Sequence, residues 1–277
     1  MKHAYLILAH NEFDVLSRLV QALDDKRNDI YIHIDKRVKE LPQLTATKSK
    51  LVLLPNRIKT YWGDSSLMKA EFLLLQAAHD RDRYAYYHIV SGVHFPLKSQ
   101  DACHLFFDAH YPKSLLQMME TSHEEISYKL GRYHFFVPSL APQGTVKATI
   151  ANLLWRALLL LQKPFPTRNI TGCQEKASQW CSLSDQVAEY IISHRKEALS
   201  RFSHTFCCDE FFIPSLLQAS KLVSAPTPEL LYVRFQRYSP RLLTLDDYPD
   251  IMTSGCLFAR KFGKQSLPLI DEITKTF

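Results

Sequence analysis

Residues 1–37, MKHAYLILAHNEFDVLSRLVQALDDKRNDIYIHIDKR, decide the fold. The apolar run Tyr5 to Leu8 stops at His10, Asn11 and Glu12, too short for a signal peptide or a spanning helix, and reads as a buried strand. Val15, Leu16, Leu19, Val20 and Leu23 then fall on one helical face. Ile30 to Ile34, rich in β-branched and aromatic residues, is a second buried strand. A strand, a helix and a strand in this order belong to a parallel sheet covered by helices.

Working outward, Leu51 to Leu54 and Tyr84 to Val90 read as two more buried strands, separated by a helix carrying Leu67, Ala70, Leu74 and Ala77. The alternation predicts an α/β fold, a mostly parallel central sheet flanked by helices, in the style of nucleotide-binding domains. Open parallel sheets bind ligands beyond the carboxyl ends of their strands. That rule singles out His10 and Asn11, then Asp35, Lys36 and Arg37, then Ser91, Gly92, Val93 and His94.

The second half is less regular. Helices are expected from Ser184 through His194 and from Asp209 or Glu210 through Ala219, a strand over Leu231 to Phe235, and a closing helix over Leu267 to Thr274 with Pro268 in its first turn. Leu153 to Leu161 is the most hydrophobic stretch; it carries Arg156 and reads as a core helix, with a membrane-contacting face as the alternative. No low-complexity linker interrupts the chain, so 1–277 is read as one domain, 1–110 being the nucleotide-binding half and 111–277 the acceptor and catalytic half.

Of the 277 residues, 46% are hydrophobic and 22% charged, which excludes disorder. A net charge of +6 favours anionic ligands. No nucleic-acid motif or basic helix stands out, so the expected partners are a phosphate-bearing substrate or an anionic membrane surface. Six cysteines without CxxC spacing argue against zinc and for reduced, buried thiols in a cytoplasmic protein, with peripheral contact at the inner face of the membrane left open.

Seven segments together resemble glycosyltransferase family 14, the core-2/I-branching β-1,6-N-acetylglucosaminyltransferases and the related peptide O-xylosyltransferases. They are AYLILAHN (4–11), YIHIDKR (31–37), YWGDSSLMKAEFLLL (61–75), HIVSGVHFPLKS (88–99), ASQWCSLS (177–184), CCDEFF (207–212) and SGCLFARKF (254–262). The resemblance implies a GT-A fold, a UDP-sugar donor, inversion at the anomeric carbon and no divalent metal or other cofactor. Eukaryotic members carry an anchor and stem before the catalytic domain, whereas this sequence opens at the first strand, so the resemblance leads to the expectation of a bare catalytic domain of a bacterial kind.

Sugar transfer needs a base for the acceptor hydroxyl and positive charge for the departing diphosphate. By resemblance Glu210 is the base, with Asp209 a structural neighbour; read on their own, two acids at a helix start also complement its dipole. The family's phosphate-binding cations match Lys261 in FARKF and Arg241 in SPRLLTL, with Arg260 and Arg237 as competitors for the second place. Asp35 matches a position near the nucleotide, and His10 and Asn11 line the same pocket. Asp64 and Ser65 cap the following helix on the donor side.

Asp80 and Asp82 spell a DxD triplet, but they precede a strand, on the wrong edge of the sheet to hold a metal at the diphosphate. For the acceptor, Glu120, Lys129 and Arg132 in METSHEEISYKLGRY are the expected contacts, while Trp180 reads as a buried strand residue or a sugar-stacking platform. His94 stands where many family members carry Asp, which separates this chain from their specificity. The leading expectation is transfer of N-acetylglucosamine to a glycan or glycolipid hydroxyl in surface polysaccharide assembly. The alternatives are a xylose donor or a non-catalytic protein that binds sugar nucleotides or carbohydrate.

Overall fold

The structure is a computed structural model that describes residues 1–140, 145–165, 168–220, 222, 224–227, 230–237 and 239–277. The predicted opening is present: β1 (His3–Ala9), α1 (Phe13–Leu23) and β2 (Asn28–Ile34), with every residue of both strands buried. β3 (Lys50–Leu53), α2 (Ser66–His79), β4 (Tyr86–Ser91), the short β5 (Phe95–Pro96) and α3 (Gln100–His110) follow. Then come β6 (Ser114–Met119), α4 (His123–Lys129), α5 (Val146–Gln162) and β7 (Lys176–Ser184). Next are α6 (Asp185–Ser193), α7 (Arg195–Phe202), α8 (Phe212–Gln218) and β8 (Ser224–Pro226). The chain closes with β9 (Leu231–Val233), the hairpin β10 (Phe235–Gln236) and β11 (Ser239–Pro240), α9 (Tyr248–Thr253), β12 (Phe258–Arg260) and α10 (Leu267–Thr274).

The main sheet has the order β3-β2-β1-β4-β7-β6-β8, and every strand except β7 runs in one direction. It is the expected mostly parallel α/β sheet, and it draws strands from both halves of the chain. A small second sheet, β5-β12-β9, lies beyond the end of β4. One face of the main sheet packs α2, α6 and α8 through Phe72, Leu74, Ile191 and Phe212; the other packs α1 and α3 through Leu16, Leu19 and Phe107.

Three expectations need correcting. The strand foreseen as buried over Leu51 to Leu54 is β3, which stands at the sheet edge with its residues exposed or only partly buried. The strand foreseen over Leu231 to Phe235 ends at Val233, because the chain turns into the hairpin of β10 and β11. The helix around Leu153 to Leu161 exists as α5, but it is not a core helix: only Ala148, Ala151 and Leu159 are buried, and Leu153, Leu154, Leu160 and Leu161 face outward.

At the carboxyl end of β4, Gly92 donates to the carbonyl of Leu8, and a Cβ on it would lie 2.9 Å from the Ala9 Cβ. The close approach of these two strand ends brings the post-strand residues of β1 and β4 together. Gly92→Ala should therefore destabilise the fold by about 1–3 kcal/mol in urea unfolding, the usual cost of overpacking, and Ala9→Gly in the same chain should recover part of it. Independent, additive effects of the two substitutions would refute the contact.

Candidate active site

Because β6 runs with β4, its last residues lie at the carboxyl edge of the sheet, and in the antiparallel pairing Met119 meets Lys176, the first residue of β7. α4 starts just beyond that edge and carries Glu125 and Lys129 one helical turn apart. The turn Cys208 to Glu210, a single 3₁₀ turn where an α-helix was expected to begin, brings Glu210 to the same place. Lys129 Nζ lies 2.9 Å from Glu210 Oε2 and 2.8 Å from Glu125 Oε1, and Lys176 Nζ lies 2.7 Å from Glu125 Oε1 and 3.5 Å from Glu210 Oε2. Two carboxylates and two ammonium groups thus form a closed ring.

The ring is partly shielded from water. Burial alone would lower the Lys129 pKa, but Glu125 and Glu210 outweigh it and raise it. Burial would likewise raise Glu125, yet the hydrogen bonds from Lys129 and Lys176 bring it down to about 2. The Glu210 side chain keeps 26% of its surface exposed, and Oε1 makes no hydrogen bond among the described residues. Both lysines approach Oε2, which leaves Oε1 without a side-chain partner among the described residues.

Three contacts fix the turn that carries Glu210. Cys207 N donates to Gly63 O at 2.9 Å, Phe206 N donates to Lys129 O at 2.9 Å, and the Phe206 ring fills the space a Cβ on Gly63 would occupy. Gly63 has φ +75°, so both backbone conformation and close packing require glycine there. Asp64, in the same loop, caps α2 by accepting from Ser66 N at 2.8 Å, while Ser65 makes no capping bond.

Asp209 points the other way. Its Oδ1 is buried without a partner, as is Oε2 of Glu71 on α2, whose Oε1 accepts from Gln179 Nε2 at 2.6 Å. Burial, then the Glu210 charge, push the Asp209 carboxyl up to about 7; burial and Asp209 push Glu71 well above the carboxylate range.

The donor-side candidates gather at the carboxyl ends of β1, β2 and β12. The Asp35 carboxylate accepts five hydrogen bonds, from Arg37 N, Nε and Nη2 and from Thr60 N and Oγ1, at 2.7–2.9 Å. These bonds hold its pKa well below the usual range despite burial, and they tie the loop after β2 to the loop before α2. His10 is exposed at the rim beside Asn11; desolvation on its inner side and the Lys261 charge lower its pKa. Lys261 makes no ion pair among the described residues, and its neighbour Phe262 N donates to Val93 O just past β4.

Arg241 is engaged with Asp247 through a two-pronged pair, Nη1–Oδ2 2.9 Å and Nη2–Oδ1 2.5 Å. Its segment runs beside Lys261, since Leu243 N donates to Lys261 O at 2.9 Å. Arg260 lies over the Trp180 ring, 5.0 Å from the centroid, with its pKa lowered to about 10 by burial. Trp180 in turn packs edge-on against the buried His94.

Of the acceptor candidates, only Lys129 joins the ring. Glu120 is exposed after β6 and Arg132 sits over the Tyr128 ring. Glu125 and Lys176 were not anticipated; the spacing of Glu125 four residues before Lys129 was readable, whereas Lys176 is recruited only by the β6–β7 register. Asp82 pairs with Lys2 at 2.8 Å, before β1, which places the DxD triplet at the amino edge as expected.

The Asp209 carboxyl holds its proton in the fold to about pH 7, while in an unfolded chain it loses it near pH 4, so folding takes up a proton between these values and stability falls as pH rises. Asp209→Asn removes this dependence. Its stability relative to the wild type should rise between about pH 4 and 7, by at most roughly 1.4 kcal/mol per pH unit, in urea unfolding at several pH values. A difference that does not change with pH would contradict the buried, protonated carboxyl.

The family model of the Core-2/I-Branching enzymes matches residues 3–237. No curated protein matches the chain. Among solved structures, mouse xyloside xylosyltransferase 1 in its apo form is 8% identical, with TM-score 0.42, over 96% of this chain and 99% of that one. S. aureus TarS is 14% identical with TM-score 0.29, over 43% of this chain; the match spans 22% of TarS. The length of the family match leads to one conclusion: the chain belongs to the Core-2/I-Branching enzyme family of glycosyltransferases.

Proposed function

We propose that the protein is an inverting glycosyltransferase that moves a sugar, N-acetylglucosamine foremost, from a UDP-sugar to a hydroxyl of a glycan or glycolipid, with Glu210 as general base and without a divalent metal or other cofactor. The observation that carries this reading is Glu210 itself, a half-exposed carboxylate at the carboxyl edge with one oxygen clamped by Lys129 and Lys176 and the other open. The acceptor oxygen loses its proton to Oε1 as it attacks the anomeric carbon from the face opposite the nucleotide. The bond to the UDP oxygen breaks, and the diphosphate leaves with its electron pair.

Charge developing on the diphosphate needs a cation. Lys261, beside His10 and the end of β4, supplies it as a point charge; Arg241, on the adjoining segment and steadied by Asp247, adds the fork geometry suited to phosphate. Support for doing without a metal is positional, because the DxD triplet stands at the far edge, paired with Lys2. Asp35 acts at the nucleotide through the residues it positions, Arg37 and Thr60; Asp64 holds the loop before α2, and Asn11 lines the pocket beside His10. Glu120 and Arg132 flank the acceptor side of α4, within reach of an extended glycan.

Glu210→Gln should lower transfer by on the order of a hundredfold or more while leaving UDP affinity nearly unchanged, measured by product formation and by calorimetry. Turnover near the wild-type rate would remove Glu210 from the base role. In EDTA the wild type should still bind UDP, and Lys261→Ala should weaken that binding by roughly tenfold or more. Equal affinity of the two proteins, or wild-type binding that needs a divalent ion, would count against the metal-free site.

A further inference from the structure

α5 is apolar on two opposite faces. Its inner face packs Ala148, Ala151, Trp155 and Leu159 against the protein, with Trp155 Nε1 3.2 Å from His134 Nδ1. Its outer face carries Val146, Ile150, Leu153, Leu154, Leu160 and Leu161, which recur with helical spacing, are 48–78% exposed and form one continuous stripe. An apolar helix face is stable against protein or in lipid, and among the described residues no part of the protein covers this one.

The charges around the stripe have a single sign. Lys147 and Arg156 flank it on opposite sides, and Lys163 stands at its end, all three exposed. From residue 126 to 174 there are six Lys and Arg (Lys129, Arg132, Lys147, Arg156, Lys163, Arg168) and no Asp or Glu. Elsewhere the 28 Asp and Glu balance the remaining basic residues, so this one stretch carries the whole net charge of +6. Exposed Tyr133 and Phe135 adjoin the helix end, where Tyr133 N donates to Gln162 Oε1 at 2.7 Å. Apolar stripe, basic flanks and aromatic margin together fit a helix lying in the interface of an anionic bilayer. No helix among the described residues is long and apolar enough to cross a membrane.

We infer that α5 is an interfacial helix that seats the protein on an anionic lipid surface, and that the acceptor is a lipid-linked glycan presented from that surface. The second half rests on the transferase reading above. Geometry joins the two: Trp155 and His134 pack on the Phe206 ring, at 5.8 and 5.4 Å between centroids, and Phe206 leads directly into the turn carrying Glu210. Trp62, 77% exposed, leans on the same ring.

The test is flotation of the full chain with vesicles of phosphatidylcholine alone and with about 30 mol% phosphatidylglycerol, at low and high salt, alongside UDP calorimetry. Binding is expected on the anionic vesicles, weaker by tenfold or more on neutral ones and weakened by salt. Leu153→Glu with Leu160→Glu, and separately Lys147→Glu with Lys163→Glu, should each abolish it while leaving UDP affinity unchanged. Failure of the wild type to float would overturn the inference, as would a dimer that the Leu153→Glu, Leu160→Glu pair dissociates, since a second copy would then cover the stripe. Because UDP affinity is read separately, floating without UDP binding would instead sink the transferase reading and leave the membrane helix standing. A water-soluble glycan accepted as fast as the same glycan on a lipid would overturn the acceptor assignment alone.

Discussion

The ring formed by Glu125, Lys129, Lys176 and Glu210 is the interaction on which the proposed acceptor side depends. Its members come from a helix, the first residue of an antiparallel strand and a one-turn 3₁₀ segment, so it can close only when the β6–β7 register and the Cys207–Gly63 hydrogen bond are both in place. A single surface ion pair contributes little, but a partly desolvated network in which each ammonium is shared by two carboxylates is more costly to open and more exact in geometry. It ties the orientation of Glu210, the proposed base, to the integrity of the whole sheet.

The donor side uses a different device. Asp35 is saturated by Arg37 and Thr60, so its charge joins two loops, while Lys261, without an ion pair among the described residues, and Arg241, paired with Asp247, lie on segments hydrogen-bonded to one another. The two sides differ in the same way as their tasks. A diphosphate needs unpaired positive charge, and a base needs a held carboxylate with one open oxygen.

Much of this was legible in the chain. The periodicity around Val15 to Leu23 and the buried runs at Tyr5 and Ile30 are local signals, and the structure follows them almost residue for residue. The post-strand rule placed His10, Asp35 and His94 at the carboxyl ends of their strands because sheet direction alone fixes where those residues lie. Lys176 was not legible, since its place depends on which strand β7 pairs with and in which register, a long-range property no window of sequence contains. Nor was the buried pair Glu71 and Asp209, because a carboxyl on an apolar helix looks like any exposed acid until its neighbours are known. α5 was misread for a related reason: hydrophobicity says that a face avoids water, not whether protein or lipid covers it.

Cys207 and Cys208 begin the turn that carries the proposed base, and both are free and buried, with thiols pushed up by burial and by the neighbouring Asp209. The thiolate is the reactive form, so neither sulfur reacts while the turn is closed. Their modification is therefore a clock: the rate at which an alkylating reagent consumes them measures how often the base-bearing segment swings open, and any ligand that orders it must slow that clock.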